Sequence, residues 1–282
     1  MLAAALPLSA DASVSETRLQ RTRGRLNLEF VARGAKTTAR TLYQEGALKA
    51  RMLASQAAGA EGVVINTAGG LTGGDELDIV IAARARTHVT LSGQACEKIY
   101  RSAGDDSRIL TTLHVDVGAR MEWLAQPTIL FDRACLHRAT IVDVAEDAQF
   151  LGIEALVFGR TAMGEKMHSG RVYDGWKISR DGKLIYADTF RLEGEIEATL
   201  QRPFVLAGNS AVASLIYVAP DAEAKLAHMQ EILADIPHAG VSAWNGLMAV
   251  RIAAPDSYEL GRNLAYILAS LRGCALPRTW II

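Results

Sequence analysis

From Leu26 the chain alternates. Leu26, Leu28 and Phe30 fall on one side and Asn27 and Glu29 on the other, the two-residue period of a half-buried strand. Short runs of the same character follow as far as about Leu192, at 36–43, 47–53, 63–65, 77–81, 87–92, 109–117, 120–124, 139–144, 150–158, 171–179 and 183–190. Turn-forming residues separate them: Arg33-Gly34, Gly104-Asp105-Asp106, Val117-Gly118, Ala145-Glu146-Asp147 and Arg180-Asp181-Gly182. The last is a hairpin signal, because Asp-Gly suits a turn with φ > 0 at both central positions. The run Gly152-Ile153-Glu154-Ala155-Leu156-Val157-Phe158 is apolar in both phases, which places it between two layers. Many short strands and few helices point to a sandwich, a barrel or an irregular solenoid. No fixed repeat period is present, so a regular repeat protein is not supported.

The pattern changes near Pro203. Residues 214–218 read as a strand, and Pro220-Asp221 opens a helix with apolar positions Leu226, Met229, Ile232 and Leu233. Further β-pattern at 241–253 surrounds Asn245-Gly246. Asp256 opens a second helix, with Glu259 at capping-box spacing, a stripe of Leu260, Leu264, Ile267, Leu268 and Leu271, and Gly273 as its stop. These helices either pack on the large sheet or form a small subdomain, and the tail at 276–280 is expected to be pinned by Trp280. The division that follows is an N-terminal arm at 1–25, a main β-rich domain at 26–202 and a C-terminal β-α-β-β-α segment at 203–282.

Composition narrows the function. The 282 residues suffice for a sizeable core, and 50% hydrophobic content marks a globular chain. Thirty Lys+Arg against 31 Asp+Glu give a formal charge of -1, which disfavours a nucleic-acid binder. Three cysteines without a close pair argue against a disulfide framework and a structural zinc knuckle. The apolar start lacks a basic n-region and is broken by Pro7, and no run approaches the roughly 20 apolar residues of a membrane span. The expectation is a soluble, cytoplasmic protein with no membrane or nucleic-acid partner.

Several stretches carry candidate chemistry. Asn66-Thr67-Ala68-Gly69-Gly70-Leu71-Thr72-Gly73-Gly74-Asp75 joins two strands through two glycine pairs and ends on an acid. A phosphate loop would open a helix and supply a Lys-Ser/Thr pair, so the loop is read as a bend that either serves structure or turns Asp75 toward a cavity or an interface. Gln94-Ala95-Cys96-Glu97-Lys98-Ile99-Tyr100-Arg101 allows a nucleophile, but no histidine stands beside Cys96 and Glu97 would raise a thiol pKa. Glu122 and Asp132 flank the apolar, aromatic run Trp123-Leu124-Ala125-Gln126-Pro127-Thr128-Ile129-Leu130-Phe131. Glu154 lies inside an apolar strand, and Glu165 follows Arg160 in Gly159-Arg160-Thr161-Ala162-Met163-Gly164. Acids in such settings need cationic partners or a metal, and structural ion pairs make the same pattern. The six histidines show no HxH, HxxxH or HExxH spacing, so a tight zinc site is not expected.

These motifs, taken in order, resemble the urease accessory protein family UreD, called UreH in some organisms. The resemblance rests on 66–75, 90–101, 122–132 and 159–165, with Arg180-Asp181-Gly182 and Ser242-Ala243-Trp244-Asn245-Gly246-Leu247. Departures are small: Leu91-Ser92-Gly93 stands where threonines are common, and Ala125 where proline is. The resemblance implies an extended, mainly β, β-helix-like or irregular multi-sheet fold with a few helices, two of them in the C-terminal third. It also implies a non-enzymatic maturation factor with no resident cofactor. Its expected partners are apo-urease, a UreF-type accessory protein and, through that protein, a UreG-type GTPase. Ni²⁺ would be in transit, which suits scattered oxygen ligands that hold a cation loosely. Asp75, Glu122, Asp132, Glu154 and Glu165 are the candidates for a nickel path, with Cys96 and the histidines behind them. The alternatives are an adaptor that never touches metal, and an enzyme using Cys96 or a carboxylate pair.

Overall fold

The computed structural model describes residues 20–54, 58–160 and 163–281. Most of the expected arm (1–19) and Thr161-Ala162 of the fourth motif lie outside them. Seventeen strands build two large sheets. In chain order they are β1 (Arg23–Arg33), β2 (Lys36–Gly46), β3 (Leu48–Met52), β4 (Ala60–Asn66), β5 (Glu76–Ala83), β6 (His88–Gly93), β7 (Glu97–Ile99), β8 (Ser107–Val115) and β9 (Arg120–Leu124). Then come β10 (Thr128–Leu130), β11 (Cys135–Val144), β12 (Gln149–Phe158), β13 (Ser169–Arg180), β14 (Lys183–Glu195), β15 (Ala211–Val218), β16 (Ala239–Trp244) and β17 (Leu247–Ala254). The helices are α1 (Ile196–Leu200), α2 (Leu226–Leu233) and α3 (Ser257–Arg272). Strand β1 begins at Arg23, three residues before the alternation becomes visible.

The first sheet has the order β14-β13-β11-β8-β5-β1-β2 and the second runs β16-β17-β15-β12-β9-β6-β4-β3. From β4 to β13 the long strands alternate between them: β4, β6, β9 and β12 in the second, β5, β8, β11 and β13 in the first. Each joins its neighbours in parallel. This is a stacked-coil, solenoid-like arrangement. One coil takes about 30 residues, from strand starts at 60, 88, 120 and 149. The coils recur in space without a sequence repeat, because the turns between strands differ in length. Antiparallel strands close both ends of each sheet.

The alternating residues fill the space between the sheets. Leu26, Leu28 and Phe30 of β1 meet Leu77 and Ile81 of β5, Leu113 of β8, and Phe150 and Leu156 of β12 in one buried cluster. The other phase of β12 (Leu151, Ile153, Ala155, Val157) faces α2 and α3 through Met229, Ile232, Leu260, Leu264 and Leu268. The second sheet is thus covered on both sides, as the doubly apolar run 152–158 required. The C-terminal helices pack on the large sheet, and β15 to β17 extend it. Asp256 caps α3 by accepting from the Glu259 amide at 2.9 Å, and Gly273 ends it with φ +65°. The Trp280 indole donates to the Leu124 carbonyl at 3.1 Å and pins the tail. Both turn residues of 181–182 and of 245–246 have positive φ, as the Asp-Gly and Asn-Gly pairs demand.

The glycine loop is the first rung of a narrow third side. Leu71 bridges Ile99 in β7, β7 pairs with β10, and β10 pairs with the end of β12. Leu71, Ile99, Leu130 and Phe158 are therefore rung mates, one coil apart. The four stretches that carry the family resemblance are successive turns of one face. Gly70 (φ +152°) leaves room that Tyr100 occupies: a Cβ there would lie 2.5 Å from the Tyr100 ring.

Glu122 ties α3 to the second sheet. It is fully buried, receives Arg272 from the last turn of α3 at 2.9 Å, Arg120 at 2.7 Å and the Thr90 hydroxyl at 2.8 Å. Burial pushes its carboxyl up, but Arg272, Thr90 and Arg120 outweigh burial and hold it below the usual range. Glu122→Gln is therefore expected to destabilise the fold by about 3 kcal/mol at neutral pH, because it strands Arg272. The native contribution is complete above the ordinary carboxylate value of about 4.3 and is lost as pH falls through the lower folded value. Chemical denaturation from pH 7 to 3 should show the gap between variant and wild type closing as acid is added. At the glycine loop, a Cβ on Gly73 would sit 2.1 Å from Ser102 Oγ and 2.4 Å from the Asp105 carbonyl. Gly73→Ala should cost roughly 1–3 kcal/mol, read as a lowered Tm.

Candidate functional site

The inward row of a strand in this fold should be apolar, and three neighbouring strands break that rule at one level. In β11 the row runs Leu136, Arg138, Thr140, Val142. In β12 it runs Phe150, Gly152, Glu154, Leu156, and in β13 Val172, Asp174, Trp176, Ile178. Arg138 is 3% exposed and Glu154 4%. The Arg138 guanidinium grips Asp174 with two parallel bonds of 2.8 Å and reaches Glu154 Oε2 with Nη1 at 2.7 Å. The same Nη1 donates to Thr128 Oγ1 at 2.9 Å. Glu154 Oε1 accepts from Trp123 Nε1 at 3.2 Å and from the Thr140 hydroxyl at 3.1 Å.

Two carboxylates thus share one buried guanidinium. Burial pushes the Glu154 carboxyl above its ordinary range, with Asp174 adding to the rise and Arg138 opposing it. Burial would lower the Arg138 pKa, but Asp174 and Glu154 override it and raise it further.

Beside this cluster lies a cavity of about 240 Å³ between the sheets, large enough for several waters. Its inner wall includes Trp123, Thr128, Arg138 and Glu154. Its outer wall is Asn66, Gly69 and the 94–98 segment, where Gln94, Ala95 and Lys98 are exposed. Glu97 stands in that outer wall. Its carboxylate accepts from Asn66 Nδ2 at 3.0 and 3.2 Å and from the Lys98 amide at 3.0 Å, and burial nevertheless raises its pKa. On the far side of the ion cluster a second void of about 10 Å³ is lined by Glu154, Asp174, Phe190, Ser214 and Arg251. Arg251 is exposed and pairs with Asp188.

The five acids singled out from the sequence are dispersed. Glu154 lines the cavity. Asp75 is 4% exposed and turned into its own loop, accepting from the Thr22 amide at 2.7 Å and the Thr72 amide at 2.8 Å. Asp132 accepts from the His168 and Ser169 amides at 2.8 and 3.1 Å. Glu165 takes the Asp132 amide at 3.3 Å and Arg160 at 2.5 Å, and Arg160 also lies over the Phe131 ring. Glu122 serves the α3 strut. Asp132 and Glu165 thus meet on the third side, away from Glu154.

Cys96 lines the cavity, and burial raises its thiol pKa. That is the wrong direction for a nucleophile. Among the described residues no three His, Cys, Asp or Glu side chains converge as a ligand set for a metal ion. No described helix is long and apolar enough to cross a membrane. Glu97, Arg138 and Asp174 were missed in the sequence. For Arg138 and Asp174 a signal existed: each is a charge in phase with Leu136 and Val142, or with Val172 and Ile178.

Residues 22–281 match the family described as UreD urease accessory protein. A urease accessory protein UreD from Azorhizobium caulinodans is 44% identical over 266 residues, spanning 94% of this chain and 98% of its own. One from Xanthobacter autotrophicus is 45% identical over 276 residues, covering 96% and 95%. One from Rhizobium leguminosarum bv. viciae is 43% identical over 267 residues, covering 94% and 97%. The fold expected from the motifs and the match along nearly the whole chain agree: this protein belongs to the UreD family of urease accessory proteins, and its role lies in urease maturation.

Proposed function

We propose that this chain is a cytoplasmic scaffold that binds apo-urease and a UreF-type accessory protein, and through the latter a UreG-type GTPase, and that Ni²⁺ crosses its interior on the way to the urease site. The observation that carries the reading is the cavity with its carboxylates. A passage for a cation needs oxygen ligands that are held in place yet do not form a closed shell, since a full shell would trap the ion. Glu97 at the mouth and Glu154 at the inner wall meet that need, with Asn66, Gln94, Gln126 and Thr128 as neutral oxygen donors. Nickel is cargo here, and the chain performs no chemistry on it.

A second reading is an adaptor that holds the partners together without touching metal. It is favoured by the fate of Asp75, Asp132, Glu165 and Glu122, whose carboxylates are spent on backbone amides and arginines. An enzyme using Cys96 has less support, given the raised thiol pKa.

Co-expression with the urease subunits and the UreF-type protein is expected to yield a complex that co-purifies on a tag placed on this chain. Failure to retain urease or the UreF-type protein would overturn the scaffold. Glu154→Gln and Glu97→Gln keep the shape of the cavity and remove its charge. Each should lower urease nickel content, measured by mass spectrometry of the purified enzyme, by roughly fivefold or more while the complex still assembles. Full nickel loading in both variants would leave the adaptor.

A further inference from the structure

Glu154 lines both voids, and the contacts of the ion cluster it belongs to are unequal. Arg138 holds Asp174 with two bonds from different nitrogens, the geometry of a fixed fork. It meets Glu154 only as an ion pair at 2.7 Å, through a nitrogen whose hydrogen bond goes to Thr128. Losing Glu154 therefore leaves Arg138 anchored at Asp174 and Thr128, with no polar atom orphaned. Glu154, for its part, keeps only the two longer bonds from Trp123 and Thr140.

We propose that Arg138 is a tethered counter-ion that selects what passes: it yields Glu154 to an incoming divalent cation while staying clamped to Asp174, and takes the carboxylate back when the ion has moved on. The inference rests on the cation passage proposed above and concerns how that passage is closed at rest. The charge balance supports it. Glu154 and Asp174 share a single positive charge, so the cluster is short of cation even with Arg138 in place. A monovalent ion arriving from the cavity offers Glu154 no more charge than the guanidinium already bonded to it. A divalent ion offers twice as much and is joined on the cavity side by Glu97. Arg138 thus permits exchange to divalent ions and denies a continuous ion path in their absence. It acts through Glu154 and is a positioning residue for the cargo.

The test is Ni²⁺ affinity, measured by chelator competition on the full chain in complex with its UreF-type partner. Removing the competitor should expose Glu154, so Arg138→Met is expected to bind Ni²⁺ roughly tenfold more tightly than wild type. The double variant Arg138→Met/Glu154→Gln should lose that gain. A purely structural arginine would give the opposite, weaker binding or none. A folded Arg138→Met protein whose affinity is unchanged or reduced overturns the proposal. If Arg138→Met does not fold, Arg138→Gln is read instead. It removes the positive charge that competes for Glu154 while keeping an amide that can donate to Asp174, and should tighten binding about threefold; unchanged or weaker binding overturns the proposal. Nickel loading of urease separates the two levels. If Glu154→Gln blocks loading but neither Arg138→Met nor Arg138→Gln tightens binding, the counter-ion role fails and the passage stands. If Glu154→Gln leaves loading intact, the counter-ion role fails; if Glu97→Gln does so as well, the passage fails with it.

Discussion

A strand that is apolar in both phases needs a packed layer on each of its faces, and β12 sets that requirement at the centre of the molecule. The ten-stranded sheet satisfies it with the seven-stranded sheet on one side and α2 and α3 on the other. Every coil must then hand a strand to each sheet and seal the corner with a turn. The narrow side at Leu71, Ile99, Leu130 and Phe158 is one such corner, stacked four deep. Glycine is needed there because successive turns come into backbone contact: the Leu71 amide donates to the Lys98 carbonyl at 2.7 Å and the Tyr100 amide to the Leu71 carbonyl at 2.7 Å. The acids of these turns follow from the same constraint. A tight corner leaves amides without ladder partners, and Asp75 and Asp132 satisfy them.

The family motifs therefore mix two kinds of structural demand in one stretch of chain. In 94–101, Ile99 and Tyr100 build the corner while Glu97 and Cys96 face the cavity. In 122–132, Glu122 anchors α3, Trp123 donates to Glu154, Thr128 steadies Arg138 and Asp132 caps a turn. Eleven residues thus reach the helix layer, the interior and the outer corner, because a strand turns its side chains to alternate faces and a corner redirects the chain.

Much of this was legible in the sequence. The two-residue alternation located most strands, the doubly apolar phase of 152–158 placed β12 between layers, and Asp256, Glu259 and Gly273 bounded α3 within a residue. The Asp-Gly and Asn-Gly turns took the backbone conformations their residues require. What could not be read was which coil stacks on which. Parallel pairing joins residues about 30 positions apart, and coils of unequal length leave no period to detect. The short strands β7 and β10 escaped for that reason, since three residues carry no alternation of their own. The site was legible only in part. Glu154 stood out as a charge in an apolar run. Asp75 and Asp132 stood out equally, and nothing in one dimension distinguishes an acid that caps a turn from one that faces a cavity. The difference is the supply of free backbone amides nearby, which only the stacked turns provide.

The remaining question is why a fold that pays so heavily for dry layers keeps an arginine and two acids inside them. A buried ion cluster is weak as a source of stability, because desolvation offsets most of the attraction and well-packed apolar residues of similar volume would do as well. An apolar replacement was open to evolution of this chain at Arg138, Glu154 and Asp174, since all three sit in phase with leucine, valine and isoleucine. The cluster also adjoins a cavity, where leaving space unfilled costs packing energy again. Two costs at one level of the core, with two carboxyl groups facing one guanidinium, are what the proposed cation passage would require and the fold itself does not.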